Sequence, residues 1–135
     1  MKRLHQQIAA IALVAGFSPL AAQAGDTTAA AQLTLWQAQA GMAASAERGK
    51  VFFTSRHGGE LSCAACHGTP PTVTGKHAST GKLIEPLAPA ANPVRFTDAA
   101  KVNKWFTRNC KDVLARECSA AEKADVLAWL THLKP

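Results

Sequence analysis

The five residues Cys63-Ala64-Ala65-Cys66-His67 constrain this chain more than any other stretch. They match C-x-x-C-H, the attachment motif of a c-type haem. Two thiols separated by two residues can each add to one vinyl group of the same porphyrin, and the histidine that follows is then held beneath the iron as an axial ligand. The motif therefore predicts one covalent haem c, attached through Cys63 and Cys66, with His67 as an iron ligand.

Two other interpretations of these cysteines are weaker. A thioredoxin-type dithiol requires an alternating strand–helix pattern around it, and the sequence shows none. A structural zinc site requires four ligands, and Cys110 and Cys118 could complete one together with Cys63 and Cys66. Their wider spacing is unlike that of a zinc knuckle, and His67 would be left without a role.

The beginning of the chain is typical of an export signal. Two basic residues come first, residues 8–22 form an apolar run, and residues 22–24 read Ala-Gln-Ala, a cleavage site before Gly25. The apolar run is too short to span a membrane, although an uncleaved anchor remains the alternative. We expect residues 1–24 to be a signal peptide. Residues 25–135 then form one cytochrome c domain, soluble and exported to a bacterial periplasm.

The charge of the chain is mildly positive. The whole sequence carries +6, and removal of the two basic signal residues leaves 13 basic residues against 9 acidic ones. Such an excess suits docking on an acidic redox partner, but many small soluble proteins carry a similar charge. No basic run is interleaved with aromatic residues, which disfavours nucleic acid as a partner.

Apolar spacing and capping residues predict an all-α fold with about four helices around one covalent haem. The predicted helices cover Ala29–Ala40, Ala46–Thr54, residues 98–109 and residues 120–133. Gly49 inside the second helix costs about 1 kcal/mol, so we expect another helix to cross closely there. Residues 68–93 are rich in Gly, Pro, Thr and Ser, which predicts a long loop over the haem rather than strands.

The last two predicted helices carry the remaining signals. Thr97 is the expected N-cap of the third helix, and Ser119 to Glu122 form a capping box before the fourth. The buried stripe of the fourth helix consists of Val126, Leu127, Leu130 and Leu133, with Trp129 at its edge. Cys110 and Cys118 lie between the two helices. In an oxidising compartment they can pair, and two free thiols are the alternative.

The third predicted helix has an amide on its apolar face. That face comprises Ala99, Val102, Trp105, Phe106 and Asn109, and the opposite face comprises Lys101, Lys104 and Arg108. An unpaired amide on an apolar face is costly. Asn109 therefore requires either backbone partners near the helix end or a functional role.

The sixth iron ligand decides what such a haem can do. A methionine after the motif is common in electron carriers, but the only methionines are Met1, which leaves with the signal peptide, and Met42, which precedes the motif. His77 in the loop is the candidate for a low-spin electron-transfer cytochrome with bis-His ligation and no gas binding. Weaker candidates are His57, His132, Lys76 and Lys82. Asn109 is the other possibility, because a weak amide ligand could hold ferric iron and leave on reduction.

At these residues the chain resembles the family of an oxygen-binding cytochrome c called sphaeroides haem protein. The resemblance covers nearly all of residues 25–133. Its most specific segments are Asn92-Pro93-Val94-Arg95-Phe96-Thr97-Asp98, Lys104-Trp105-Phe106, Arg108-Asn109-Cys110 and Arg116-Glu117-Cys118. Leu87 departs from the family pattern, in which methionine often precedes Ala-Pro, and this difference strengthens the case against methionine ligation.

The resemblance implies a function and partners. It implies that Asn109 is the sixth ligand in the oxidised state, that Cys110 and Cys118 form a disulfide beside it, and that reduction frees the site for oxygen or nitric oxide. It also implies a dihaem cytochrome c and a membrane cytochrome b as electron donors. Turnover of the gas would make the protein an oxidoreductase, but no general acid–base group is evident near Asn109.

Overall fold

A computed structural model of the chain describes residues 25–135, so the predicted signal peptide lies outside the described residues. The helices are α1 (Ala29–Ala40), α2 (Ala46–Thr54), α3 (Cys63–His67), α4 (Ala99–Leu114) and α5 (Ala120–His132), and the strands are β1 (Gly75–Lys76) and β2 (Leu83–Ile84). The all-α prediction is confirmed, and α3, formed by the haem motif itself, adds to the four predicted helices. Within residues 25–135 no helix is both long enough and apolar enough to cross a membrane.

Short polar side chains start the first two helices where the sequence predicts. Thr28 caps α1 by accepting a hydrogen bond from the Ala31 amide at 3.1 Å, and Ser45 caps α2 in the same way. Gly41 ends α1 in a left-handed conformation, with φ +65°, which glycine adopts without a steric penalty. The bounds of both helices match their predictions.

Helix α5 is the centre of the core. It packs against both α1 and α2, and seven consecutive residues, 124–130, are buried. Trp129 was expected at the edge of the stripe, and this is wrong, because its exposed fraction is only 7%. The two neighbouring helices cover α5 from different sides, so its burial extends around the helix instead of along one stripe.

The close helix crossing expected at Gly49 is confirmed. A Cβ at this position would lie 1.9 Å from the carbonyl oxygen of Asp125 on α5, so only glycine allows the two backbones to approach this closely.

A buried carboxylate fixes the same crossing of α2 and α5. Asp125 accepts hydrogen bonds from the Ser45 amide at 2.6 Å and from the Nε of Arg48 at 2.7 Å. Sequence reasoning missed this pair. The available signal was a charged residue inside the apolar run of the last helix, which has to find a partner when it is buried.

Helix α4 differs from its prediction at both ends. Asp98, not Thr97, is the N-cap, and its carboxylate accepts a hydrogen bond from the Lys101 amide at 2.8 Å. The helix continues five residues beyond Asn109 and stops at Ala115, which has a left-handed φ of +57°. The predicted helix therefore begins one residue too early and ends too soon.

The longer helix changes the position of the cysteine pair. Cys110 lies inside α4 rather than in a turn, and it forms a disulfide with Cys118, with 5.6 Å between their Cα atoms. Cys118 directly precedes Ser119, which begins α5 with the predicted capping box. The disulfide thus joins the C-terminal part of α4 to the start of α5.

The loop between the haem motif and α4 contains a small hairpin, so the prediction of a loop without strands is wrong. Strands β1 and β2 pair antiparallel, with Gly75 opposite Ile84. The turn between them is held by the ring of His77, whose Nδ1 accepts from the amides of Ser79 and Thr80, each at 3.3 Å. These local bonds give the glycine-rich segment a defined shape that its composition does not predict.

Candidate haem site

The haem motif forms its own short helix, α3. Ser62 caps it by accepting a hydrogen bond from the Ala65 amide at 3.1 Å, and Gly68 ends it at φ +76°. Residues three apart on a helix face the same way, so the thiols of Cys63 and Cys66 lie one turn apart on one face. Both cysteines are free and partly buried.

The two thiols of the motif have different surroundings. Burial raises the pKa of the Cys63 thiol to about 11, which leaves very little thiolate near neutral pH. The sulfur of Cys66 accepts a hydrogen bond from the Ala78 amide at 3.3 Å. The Cys63 thiol therefore keeps its proton, and neither cysteine is bonded to another cysteine.

The ring of His67 is partly buried and uncharged. Burial lowers its pKa to about 4, and the nearby Arg95 guanidinium lowers it as well. The Nδ1 atom is fully buried and has no hydrogen-bond partner within residues 25–135. A neutral imidazole is the form that binds a metal. Its protonation state therefore suits an axial ligand.

The hairpin strand β1 packs directly on the haem motif. A Cβ at Gly75 would lie 2.2 Å from the carbonyl oxygen of Cys66 and 3.0 Å from the Cα of His67. The ring of Phe53, on α2, lies 6.1 Å from the His67 ring. The hairpin and α2 thus both contact the last turn of α3.

The donor set fits a covalently bound haem. Two free thiols one turn apart can each form one thioether bond, and the adjacent neutral imidazole can bind the iron. A zinc site on the same thiols lacks its remaining ligands, because Cys110 and Cys118 are bonded to each other. Cys63, Cys66 and His67 are thus brought together as their spacing predicts.

Arg95 is a site residue that sequence reasoning missed. Its Nε donates to the carbonyl oxygen of Pro86 at 2.9 Å and its Nη2 to that of Glu85 at 2.7 Å. The side chain therefore holds the loop in place and puts a positive charge near His67. A sequence signal was available, since Arg95 is the only charged residue between positions 86 and 97.

Asn109 lies on a different element from the motif. It is partly buried on α4, and within residues 25–135 no hydrogen bond involves its side chain, whether to the motif or to a neighbour. Phe106, one turn before it, packs against the same core cluster as Cys63. The structure therefore brings α4 to the core that supports the motif, and the Asn109 amide is not tied to another protein group.

Trp105 does not lie where the helical pattern places it. It was expected on the apolar face of α4, but 47% of it is exposed. The cations of Lys104 and Arg108 lie 5.8 Å and 5.7 Å from the centre of its ring. Trp105 thus sits at the border between the apolar face and the basic face, and cation–π contacts accompany its exposure. The basic residues expected on the opposite face are exposed, as predicted.

The alternative histidine ligands have other contacts. Backbone amides can only donate, so the two that point at Nδ1 of His77 require this atom to be an acceptor. In the neutral ring the proton then lies on Nε2, whereas a metal-bound histidine normally donates from its other nitrogen. The Nε2 of His57 lies 2.7 Å from the carbonyl oxygen of Phe52, and His132 is exposed.

Known proteins are similar to this chain in sequence. A family described as a domain of unknown function (DUF1924) matches residues 39–130. The cytochrome c-type protein SHP of Cereibacter sphaeroides is 50% identical over 113 residues, which cover 81% of this chain and 87% of SHP.

Solved structures agree with these matches. The structure of oxidized SHP, an oxygen-binding cytochrome c, has a TM-score of 0.76 and 48% identity, over 81% of this chain and 100% of that chain. The solution structure of cytochrome c'' of Methylophilus methylotrophus, which concerns haem-ligand detachment, has a TM-score of 0.69 and 38% identity, over 79% of this chain and 94% of that chain.

The helical fold and the free thiols of the C-x-x-C-H motif define a small c-type cytochrome, whose cofactor is one covalently bound haem c. The chain belongs to the family of the cytochrome c-type protein SHP, within the domain family that matches residues 39–130. The resemblance read from the sequence is confirmed.

Proposed function

We propose that this chain is a periplasmic monohaem c-type cytochrome that accepts electrons and binds a diatomic gas, oxygen or nitric oxide, at a site gated by Asn109. The observation that carries the proposal is the Asn109 side chain. It is partly buried on the helix that follows the haem loop and has no hydrogen-bond partner in the described residues. The oxygen binding of the related SHP supports the same reading.

Each residue of the site has a definite role in this proposal. The haem, when bound, supplies an iron that changes oxidation state and offers an axial position to a gas. Cys63 and Cys66 would hold the haem covalently, and the neutral ring of His67 would bind the iron from the proximal side. Arg95 would hold the loop and keep a positive charge near His67, which favours the reduced state of the iron.

Asn109 would control access to the distal side. An amide oxygen is a weak ligand that binds ferric iron better than ferrous iron, because the interaction depends on the charge of the metal. We expect Asn109 to bind in the oxidised state and to leave on reduction. Ligand detachment is also the subject of the cytochrome c'' structure from a relative, which supports a labile ligand in this family.

A low-spin electron carrier with His67 and His77 as ligands is the alternative. It is less well supported, because Nδ1 of His77 accepts two amide hydrogen bonds. To bind iron through Nε2, the ring would have to lose the proton on that nitrogen. The proton would either move to Nδ1, which would break the two amide hydrogen bonds, or leave an anionic ring. Asn109 makes no comparable contact that it would have to give up.

The compartment and partners are part of the proposal. We expect residues 1–24 to be removed as a signal peptide and residues 25–135 to act in the periplasm, where the disulfide of Cys110 and Cys118 is stable. A dihaem cytochrome c and a membrane cytochrome b are the proposed electron donors, on the strength of the family resemblance.

Three variants of the holoprotein test the ligand. Asn109→Val removes the amide, Asn103→Val makes the same change at an exposed position of α4, and His77→Ala removes the alternative ligand. We expect the ferric optical spectrum of Asn109→Val alone to become five-coordinate or water-bound, with the fold intact. A ferric spectrum that changes in His77→Ala and not in Asn109→Val would contradict the proposal.

A further inference from the structure

One face of α4 carries a continuous row of positive charges. Lys101, Lys104, Arg108 and Lys111 follow one another at intervals of three or four residues, and all four are exposed. Residues with this spacing lie on one face of a helix. We call these four residues the basic stripe.

The middle of the basic stripe has no internal partner. Lys101 pairs with Asp98 at 3.1 Å, and Lys111 pairs with Glu117 at 3.6 Å. Within residues 25–135, neither Lys104 nor Arg108 forms an ion pair with a carboxylate. The two end charges are thus balanced by the protein itself, whereas the two central charges remain available to an external anion.

Trp105 lies beside these two central charges. The cations of Lys104, which precedes Trp105 in sequence, and Arg108, which follows it, lie 5.8 Å and 5.7 Å from the centre of its ring. Trp105 remains 47% exposed. Tryptophan and arginine dominate the energetically important positions of protein interfaces. The exposed indole and the two unpaired cations therefore offer a partner both apolar area and positive charge at one place. A helix face that only contacts solvent requires no such combination.

The position of this surface relates it to the haem site. Arg108 directly precedes Asn109, and Trp105 lies one helical turn before it, a rise of about 6 Å along the axis. Trp105 shares a helix face with Asn109, so a partner that contacts Trp105 would lie within about one helical turn of the residue that we propose as the distal ligand.

We propose that Lys104, Trp105 and Arg108 form the surface on which an acidic electron-donor protein docks. The inference rests on the proposed function, and it names the chemistry of the partner: carboxylates that pair with the two cations around a contact on Trp105. One electron passes from the donor, which is oxidised, to the ferric iron, which becomes ferrous, and no covalent bond forms or breaks.

The test compares two double charge reversals in the holoprotein. Lys104→Glu/Arg108→Glu inverts the docking surface. Lys50→Glu/Lys134→Glu changes the net charge by the same amount at exposed positions away from α4. Each protein is reduced by two probes in stopped-flow mixing, the acidic protein flavodoxin in its hydroquinone state and the small molecule lumiflavin, also in its hydroquinone state.

We expect the second-order rate constant with flavodoxin to fall about tenfold or more in Lys104→Glu/Arg108→Glu at an ionic strength of about 10 mM, and to lose most of its salt dependence. Trp105→Ala should also slow this reaction, by about threefold, but should keep the salt dependence. The control reversal should change the rate less than threefold, and lumiflavin should reduce all four proteins equally.

Two results with flavodoxin would overturn the docking surface. Equal slowing of both charge reversals would mean that net charge alone steers the donor, and an unchanged rate in Lys104→Glu/Arg108→Glu would mean that the donor binds elsewhere. If neither reductant reduced the wild-type haem, electron acceptance itself, and with it the proposed function, would be contradicted. Slower reduction by lumiflavin in the variants would show a damaged haem site instead of a lost docking surface, and would likewise count against the proposal.

Discussion

Helices α2 and α5 are held together along their crossing, whereas α4 is held mainly at its ends. At the crossing, the backbones touch at Gly49 and a buried carboxylate, Asp125, binds the start of α2. Helix α4 buries only Val102 and Cys110 among its sixteen residues. Its first amide, that of Ala99, donates to Asp26 at 2.8 Å, and its C-terminal part carries the disulfide.

This difference separates the two halves of the haem site. His67, the proposed proximal ligand, lies beside Phe53 of α2 and is supported by the tightly packed helix pair. Asn109, the proposed distal ligand, lies on the less buried helix and directly precedes the disulfide-bonded Cys110. A ligand that has to bind and leave requires an element whose displacement costs little, and regions with few buried contacts have that property.

The largest expected effect comes from breaking the proximal attachment. Cys63→Ser/Cys66→Ser should lose all covalent haem, because no thiol remains to form a thioether bond. Haem staining after denaturing electrophoresis measures this. The other cysteine pair supplies the control, since Cys110→Ala/Cys118→Ala should keep its stain. Retention of covalent haem in the first variant would refute the assignment of the motif.

The next largest effect tests the close contact between the backbones of α2 and α5. Gly49→Ala should lower the free energy of unfolding by about 3 kcal/mol, because the new Cβ would overlap the Asp125 backbone. Helix propensity alone predicts the opposite sign, a gain of about 1 kcal/mol. Chemical denaturation of the holoprotein measures the free energy of unfolding. The control is Gly59→Ala, where the atoms nearest to the new Cβ are 3.7 Å away, and it should change the free energy of unfolding by less than about 0.5 kcal/mol.

A third variant releases one end of α4. Cys110→Ala/Cys118→Ala should lower the free energy of unfolding by roughly 2–3 kcal/mol, the chain-entropy value for such a short loop. It should also broaden the ferric optical bands, because the segment that carries Asn109 loses its anchor. Unchanged stability and spectrum would show that packing alone holds α4, and would remove the contrast between the two regions.

The smallest expected effect is a pH dependence at the start of α5. A hydrogen bond from Arg116 lowers the pKa of the Glu122 carboxyl. A depressed folded-state pKa means that the carboxylate stabilises the fold above the ordinary pKa of glutamate, and that this stability is lost as the pH falls through the folded value. Glu122→Gln should therefore cost about 0.5–1 kcal/mol at pH 7 and almost nothing at pH 3. An equal cost at both pH values would exclude the carboxylate charge as the cause.

The sequence predicts the parts of this fold that depend on local chemistry. The motif residues, the caps at Ser45 and Ser119 and the crossing at Gly49 all follow from side chains acting within a few residues or from a missing Cβ. The end of α4 does not follow, because it depends on a left-handed residue at Ala115, where no glycine marks the stop.

The parts that depend on tertiary neighbours are the ones that sequence reasoning misses. Trp129 is buried because two helices cover α5, and Trp105 is exposed because it sits at the border of a face. Asp125 and Arg95 find partners far along the chain or across a loop. The site follows the same division: the thiols and His67 are adjacent in sequence, whereas the role of Asn109 stays a prediction that depends on how α4 lies relative to the haem.

The central claim is an axial position that opens on reduction, and optical spectra of the wild-type holoprotein test it most directly. The protein is reduced with dithionite and recorded with and without carbon monoxide. A high-spin reduced spectrum that shifts when the gas is added is the predicted result. A sharp low-spin reduced spectrum that does not respond to carbon monoxide would contradict the account and would make His77 the next residue to test.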